Sequence, residues 1–283
     1  MQLEAEGVGS HKALFMGAWN RAGYAHQALK AVAQFEDLGS YDFYLFLDGV
    51  TDDEDREAQL AIKESAAQVP NTTVVEWPAH LGCDSSFIDA RKYLFEDQGY
   101  DVVVQMDDDV VMAPYALRAL EALSQRGGPC SLPTLWAWCT ESVTWKQAHL
   151  GECIPTPPAQ PSFIFTWFTR LAYERTRSFM ALYRELYSSE WPRRRDAASI
   201  RAWYRTLGVK DPESWATGAD GALAATAQHL GIPLLQPVVN HGLYIGVEGA
   251  HSDSAGTVFH RLGADRMKLD LLPQVVAALG EYR

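Results

Sequence analysis

Apolar runs and helical periodicities alternate through the first third of the chain. Residues 13–18 are continuously apolar or small, and the polar loop Trp19, Asn20, Arg21, Ala22, Gly23, Tyr24 follows. Over residues 25–35, Ala28, Leu29, Val32 and Phe35 recur at helical spacing. Residues 41–47 read as a second strand ending at Asp48 and Gly49. Asp52, Asp53, Glu54, Asp55 and Glu57 open the next helix, where acids suit the positive end of the helix dipole. A third strand is predicted over 72–77, a third helix over 85–98 closed by Gly99, and a fourth strand from Val102. This β-α-β-α-β-α-β order within the first 110 residues predicts an α/β fold: a mostly parallel central sheet flanked by helices.

The fourth strand ends abruptly. Val102, Val103 and Val104 lead through Gln105 and Met106 into Asp107, Asp108 and Asp109, and Val110 and Val111 resume the apolar pattern. Adjacent ionised carboxylates cannot lie inside a strand buried on both faces without partners. They are expected at its C-terminal end, where an open α/β sheet meets its ligand crevice. Their repulsion requires a positive partner, and a divalent cation such as Mg²⁺ or Mn²⁺ bridging carboxylate and phosphate meets that need. The alternative is a solvated acidic turn.

Beyond residue 114 the pattern changes. Residues 114–124 form a helix stopped by Gly127, Gly128 and Pro129. Residues 130–191 are rich in Trp, Tyr, Phe and Pro, including Trp136, Trp138, Trp145, Phe163, Phe165, Trp167 and Phe168. Such rings suit sugar-binding clefts and equally an ordinary core. Arg193, Arg194 and Arg195 read as a solvated stretch or a phosphate contact. Asp220 precedes a helix of small residues, a strand lies over 234–239, and a loop rich in Gly and His follows, with His241, Gly242, Gly246, Gly249 and His251. No internal repeat is present.

The 283 residues carry a formal net charge of -12, which disfavours nucleic acid and anionic membrane as partners. An acidic protein with an anionic ligand again needs a local cation. No apolar run of about 18 residues predicts a membrane span. The acidic first residues do not resemble a secretory signal, so the expected localisation is cytoplasmic. Cys83, Cys130, Cys139 and Cys153 form no Cys-x-x-Cys pair, and with His149 they match no standard zinc spacing; reduced thiols are expected. Gly-x-x-x-x-Gly-Lys-Ser/Thr, Gly-x-Gly-x-x-Gly after the first strand and Gly-x-Ser-x-Gly are all absent, which removes P-loop, Rossmann dinucleotide and α/β-hydrolase chemistry.

Asp107, Asp108 and Asp109 at a strand end resemble the DxD motif of GT-A fold glycosyltransferases. The order of features is similar too: strand, Asn20-Arg21 loop, strand ending in Asp48, His80-Leu81-Gly82 loop, DxD, downstream acid, and C-terminal loop with Gly and His, over about residues 13 to 260. The pattern is most similar to inverting N-acetylglucosaminyltransferase-like enzymes.

The resemblance implies a GT-A-like fold with a nucleotide-sugar lobe over 1–125 and an aromatic-rich acceptor-binding and catalytic lobe over 126–283, in one continuous domain. It implies a metal-dependent inverting glycosyltransferase using Mn²⁺ or Mg²⁺, a nucleotide-sugar donor, UDP-linked, and an acceptor that is a small molecule, glycan or protein. Asp109 would ligate the metal, and Asp107 or Asp108 would contact the ribose or metal-bound water. Asp48 would face the base and Arg21 the base or diphosphate. Their loops share the crevice at the strand ends on physical grounds as well. Arg91 would pair with a phosphate or the aspartates, unless it is a plain helix-face charge. Asp220 would be the general base, the alternative being a helix N-cap; Ala219 stands where such enzymes often carry a second acid. His251 would be the C-terminal metal or diphosphate ligand, with His241 and Asp253 as competitors. Two other readings are a sugar-1-phosphate nucleotidyltransferase, which wants more Gly and basic residues in the first loop than Arg21 and Gly23, and a non-catalytic nucleotide-sugar-binding protein.

Overall fold

The computed structural model describes residues 11–137, 139, 141–149, 151–156, 163–186 and 196–246. The first half runs β1 (Lys12–Ala18), α1 (Ala22–Val32), β2 (Asp42–Leu47), α2 (Asp53–Ala66), β3 (Thr72–Glu76), α3 (Cys83–Lys92), β4 (Val102–Asp107), β5 (Val110–Met112) and α4 (Ala116–Gly127). The second half runs β6 (Leu132–Pro133), α5 (Val143–Ala148), β7 (Cys153–Pro155), β8 (Phe165–Thr169), α6 (Arg170–Glu185), α7 (Ala197–Thr206), α8 (Ala219–Leu230), β9 (Leu234–Pro237) and β10 (Gly242–Tyr244).

The central sheet has the order β3-β2-β1-β4-β8, with β8 alone antiparallel. The mostly parallel, helix-flanked sheet expected from the sequence is therefore present. β1 is apolar or small from Ala13 to Ala18 because both of its faces are covered there. Leu14 and Met16 face the layer of α1, α2 and α4, whereas Ala13 and Phe15 face that of α3, α6 and α8. The chain winds outward from β1 to β2 and β3, then crosses back to place β4 on the other side of β1. That reversal between β1 and β4 opens a crevice at their C-terminal ends.

Several elements differ from the expectation. α1 starts at Ala22 rather than residue 25, and α3 starts at Cys83 after Gly82, whose φ of 79° turns the chain into the helix. The last turn of the expected third helix is π-helical, over Tyr93–Asp97. The loop expected at Gly242 is instead β10, paired antiparallel with β5. β8 and α6 lie within the aromatic stretch, where rings hide the strand period. Trp136, Phe163, Phe165, Trp167 and Phe168 are all buried in the two core clusters. β8 also carries the sheet across the expected lobe boundary at residue 125, since it pairs with β4 from Met106↔Phe165 to Val102↔Thr169.

Candidate active site

The acidic run sits at the C-terminal end of β4, opposite Gly17 of β1. Asp107 is the last residue of the strand and is partly exposed; Asp108 and Asp109 form the turn into β5 and are each 4% exposed. The loop after β1 brings Arg21 against them. Arg21 Nη1 donates to Asp109 Oδ2 at 2.7 Å, and Nη2 donates to Asp108 Oδ1. The guanidinium also lies 5.6 Å from the Tyr24 ring centre. Burial works against the Arg21 charge, but the two carboxylates outweigh it and raise its pKa. Burial, and next Asp109, Asp220 and Asp108, push Asp107 well above the usual carboxylate range. Burial also moves Asp108 up to about 6, against the opposing pull of Arg21. One guanidinium thus faces three acids, and the remaining charge is negative.

Asp48, at the end of β2, is 4% exposed. Its Oδ1 accepts from the backbone N–H of Gly49 (2.9 Å) and Leu81 (2.7 Å), and its Oδ2 from that of Gly82 (2.8 Å). His80 Nδ1 lies 3.1 Å from Oδ2. A carboxylate offers about four acceptor directions, and these contacts occupy most of them. Asp48 is therefore a brace for the loop after β3. Gly49 permits the approach, because a Cβ there would lie 2.1 Å from Ala79 C and 2.3 Å from His80 N. The Trp19 and His80 rings stand 4.3 Å apart across the same loops. Asn20 Nδ2 donates to Asp55 Oδ1 at 2.8 Å, and the Thr51 hydroxyl donates to Asp55 Oδ2 at 2.6 Å. Burial pushes the Asp55 carboxyl up, but these bonds outweigh it and hold it low. Asp55 thus does more than complement the α2 dipole: it ties α2 to the β1 loop.

Asp220 lies in the first turn of α8. The N-cap is Gly218, so Asp220 is not the cap. Its Oδ2 accepts from Phe163 N at 3.3 Å. The Phe163 carbonyl accepts from Gln105 Nε2 at 3.1 Å, and Gln105 Oε1 accepts from Arg91. Arg91 is buried, 4.9 Å from the Phe168 ring centre, and burial lowers its pKa to about 10 despite the charges of Asp220, Tyr173 and Asp84. Asp84, in the first turn of α3, accepts from Tyr183 Oη at 2.8 Å and from Ala219 N at 3.0 Å. Crowding by the protein, and then Asp84, Asp107, Asp108 and Asp220, push the Cys83 thiol well above its ordinary value. Because Cys83 reaches solvent, the crowding matters less than the charges. The charges that act on Cys83 come from the first turn of α3, the end of β4 and its turn, and the first turn of α8.

Asp84, Tyr183, Gln105 and His80 are the participants that sequence reasoning passed over or left without a role. Asp84 had one local signal, an acid just ahead of the expected start of the third helix, and His80 stood in the loop before it; Tyr183 and Gln105 had none. His251 lies outside the described residues, as do Asp253 and Arg193–195. Ile245 N donates to the carbonyl of Asp109 at 2.9 Å, so the end of β10 is tied to the acidic turn. His241 is 4% exposed, and burial lowers its pKa to about 4.

The three aspartates and Asp220 offer hard oxygen donors with more negative charge than Arg21 offsets, a set that fits Mg²⁺ or Mn²⁺ chemically. Among the described residues, no three His, Cys, Asp or Glu side chains already converge on one point as ligands; Asp108 and Asp109 are turned to Arg21. A cavity of about 690 Å³ between α3 and α6 is lined by Arg91, Tyr173, Arg177 and Arg184, but by none of these acids. Two of its arginines pair within it, Arg177 with Glu96 at 3.0 Å and Arg184 with Asp89 at 2.5 Å. The acids at the C-terminal end of β4 and in the first turn of α8, rather than cavity size, locate the candidate site.

No helix among the described residues is long and apolar enough to cross a membrane. No protein-family model matches the sequence, and no curated protein matches it. Among solved structures, the chain is similar to Staphylococcus aureus TarS residues 1–349, at 14% identity and a TM-score of 0.47 over 96% of this chain and 80% of that one. It is similar to the mannosyltransferase PcManGT from Pyrobaculum calidifontis, in complex with GDP-Man and Mn²⁺, at 12% identity and a TM-score of 0.43 over 96% and 87%. It is also similar to glucosyl-3-phosphoglycerate synthase from Mycobacterium tuberculosis, in complex with Mn²⁺, UDP and phosphoglyceric acid, at 16% identity and a TM-score of 0.39 over 59% and 58%.

Proposed function

We propose that the protein is a metal-dependent, GT-A-like glycosyltransferase that moves a sugar from a nucleotide-sugar, UDP-linked, to an acceptor hydroxyl with inversion. One observation carries the reading: Asp107, Asp108 and Asp109 stand at the β1/β4 crevice beside Arg21, with Asp220 close enough to raise the Asp107 pKa. Asp109, with Asp107 or Asp108, is the set that would hold Mn²⁺ or Mg²⁺, and His251 is proposed to complete it. A divalent ion there supplies charge neutralisation to the departing diphosphate. Arg21, once exchanged from the acids, is proposed to reach the base or diphosphate from the loop after β1. Asp48 acts by shaping the loop that, with Trp19, walls the base. Arg91 is proposed to support Asp220, to which it is linked through Gln105 and the Phe163 backbone.

In the reaction, the acceptor oxygen bonds to the anomeric carbon while the bond from that carbon to the diphosphate oxygen breaks. The acceptor proton passes to the Asp220 carboxylate. The first half of the chain is the donor lobe and the second the acceptor lobe, with a small molecule, glycan or protein as acceptor.

Two experiments test the reading. Thermal-shift screening of UDP-, GDP-, dTDP- and CDP-sugars with and without Mn²⁺ identifies the donor, since a ligand selective for the folded state raises the midpoint; UDP-sugars with Mn²⁺ are expected to give the largest rise. Asp109→Ala and EDTA are each expected to abolish transfer while the fold persists, and Asp220→Asn to lower kcat by roughly a hundredfold at unchanged donor affinity. Full turnover in EDTA removes the metal, and an anomerically retained product removes the base.

A further inference from the structure

The N-terminus of α8 has an unusual cap. A helix start leaves backbone N–H groups without intrahelical partners, and Gly218 at the N-cap has no side chain to offer. The missing acceptor comes from 135 residues earlier in the chain: Asp84 Oδ2 takes the Ala219 N–H at 3.0 Å. The same oxygen accepts from Tyr183 Oη of α6 at 2.8 Å, and that hydroxyl lies 3.0 Å from Thr217 O. Asp84 is 9% exposed and Tyr183 fully buried. A charge-assisted contact at a helix N-terminus is favoured both by the hydrogen bond and by the dipole. Asp84 also stands two residues after Gly82, whose N–H is held by Asp48 Oδ2 at 2.8 Å. One continuous set of contacts therefore runs from β2 through the loop after β3 and the first turn of α3 to the residue before Asp220.

We propose that Asp84 and Tyr183 are positioning residues for Asp220: they pin the first turn of α8 to the first turn of α3, and so hold the Asp220 carboxylate on Phe163 N, next to Ile164, whose carbonyl accepts from Asp107 N. This rests on the reading of Asp220 as the acceptor base. A shift of about 1 Å in a proton acceptor costs a large part of its effect on rate, so the consequence falls on kcat rather than on donor binding.

The test uses Asp84→Asn and Tyr183→Phe, each alone and combined with Asp220→Asn, in the full chain. Tyr183→Phe removes one hydroxyl and keeps the ring, so it serves if the Asp84 change impairs folding. Each single change is expected to lower kcat about tenfold or more, to leave calorimetric affinity for UDP with Mn²⁺ within about twofold, and to add less than about twofold on the Asp220→Asn background. Hydrogen exchange at the Ala219 amide is expected to quicken in both. Losses that add fully to that of Asp220→Asn, or that appear equally in UDP affinity, overturn the proposal. Unchanged exchange at Ala219 overturns it as well. Wild-type kcat in Asp220→Asn alone identifies a different failure, that of Asp220 as the base.

Discussion

At the scale of single residues, the site is an electrostatic problem with an incomplete internal solution. Arg21 spans Asp108 and Asp109, its side chain about one third exposed. It occupies the carboxylates that a metal would need, so the two cations compete. Arg21→Met leaves two buried acids unpaired and is expected to lower stability by ~2 kcal/mol in metal-free buffer, less than for a fully buried pair because of its exposure. The same change frees both carboxylates for Mn²⁺. The rise in melting midpoint on adding Mn²⁺ should therefore be larger in Arg21→Met than in the wild type. An equal or smaller rise in differential scanning fluorimetry shows that Arg21 does not stand in the metal's way. Arg21 was legible as a crevice residue because it lies in the loop after the first strand. Its partners were not, since they follow 87 and 88 residues later and nothing in either segment encodes the pairing.

At the scale of elements, α8 shows how close packing transmits to chemistry. A Cβ on Gly221 would lie 1.9 Å from Ala216 O and 2.9 Å from Tyr204 Oη. The backbone oxygen cannot yield cheaply, because it is part of the turn that delivers Thr217, Gly218 and Asp220. Gly221→Ala is expected to cost roughly 1–3 kcal/mol by overpacking and to displace the first turn of α8. A fall in the urea midpoint together with a fall in kcat larger than that in donor affinity checks both consequences. Wild-type stability would mean that the turn relaxes without cost. The sequence showed a helix of small residues here, and the reason for their size appears only once α8 packs against α6. The parallel core was more readable, since Ala13 to Ala18 and Val102 to Val104 are apolar on both faces. β8 was not, because Phe165, Thr166, Trp167 and Phe168 have no alternation to distinguish strand from core helix.

At the scale of the whole molecule, acid response combines opposing titrations. His241 is buried beside the Tyr115 ring, 5.9 Å between centres, and burial lowers its pKa from 6.5 to about 4. Above pH 6.5 the ring is neutral in both states. Between pH 6.5 and about 4 the unfolded chain takes up a proton that the folded chain refuses, so this contribution falls by about 1.4 kcal/mol per pH unit as the pH drops. Asp108 acts in reverse: raised to about 6, it holds a proton in the folded state that the unfolded chain has released, and favours folding as the pH drops toward 3.8. The difference in stability between wild type and His241→Phe, measured by urea titration, is expected to move against the wild type from pH 6.5 to 4. A constant difference contradicts a buried neutral ring. Local pattern alone determined the alternation of strands and helices, the two-sided burial of β4, and the placement of Asp107 to Asp109 at a strand end, because periodicity and the cost of burying charge act within a few residues. Only the tertiary structure decided that Arg21 holds two of those acids, that Asp48 braces the 79–82 loop, and that Asp84 caps the helix bearing Asp220. Such partners meet through strand order and helix packing, and a chain of 283 residues offers each carboxylate too many equivalent backbone and side-chain donors for sequence to choose among them.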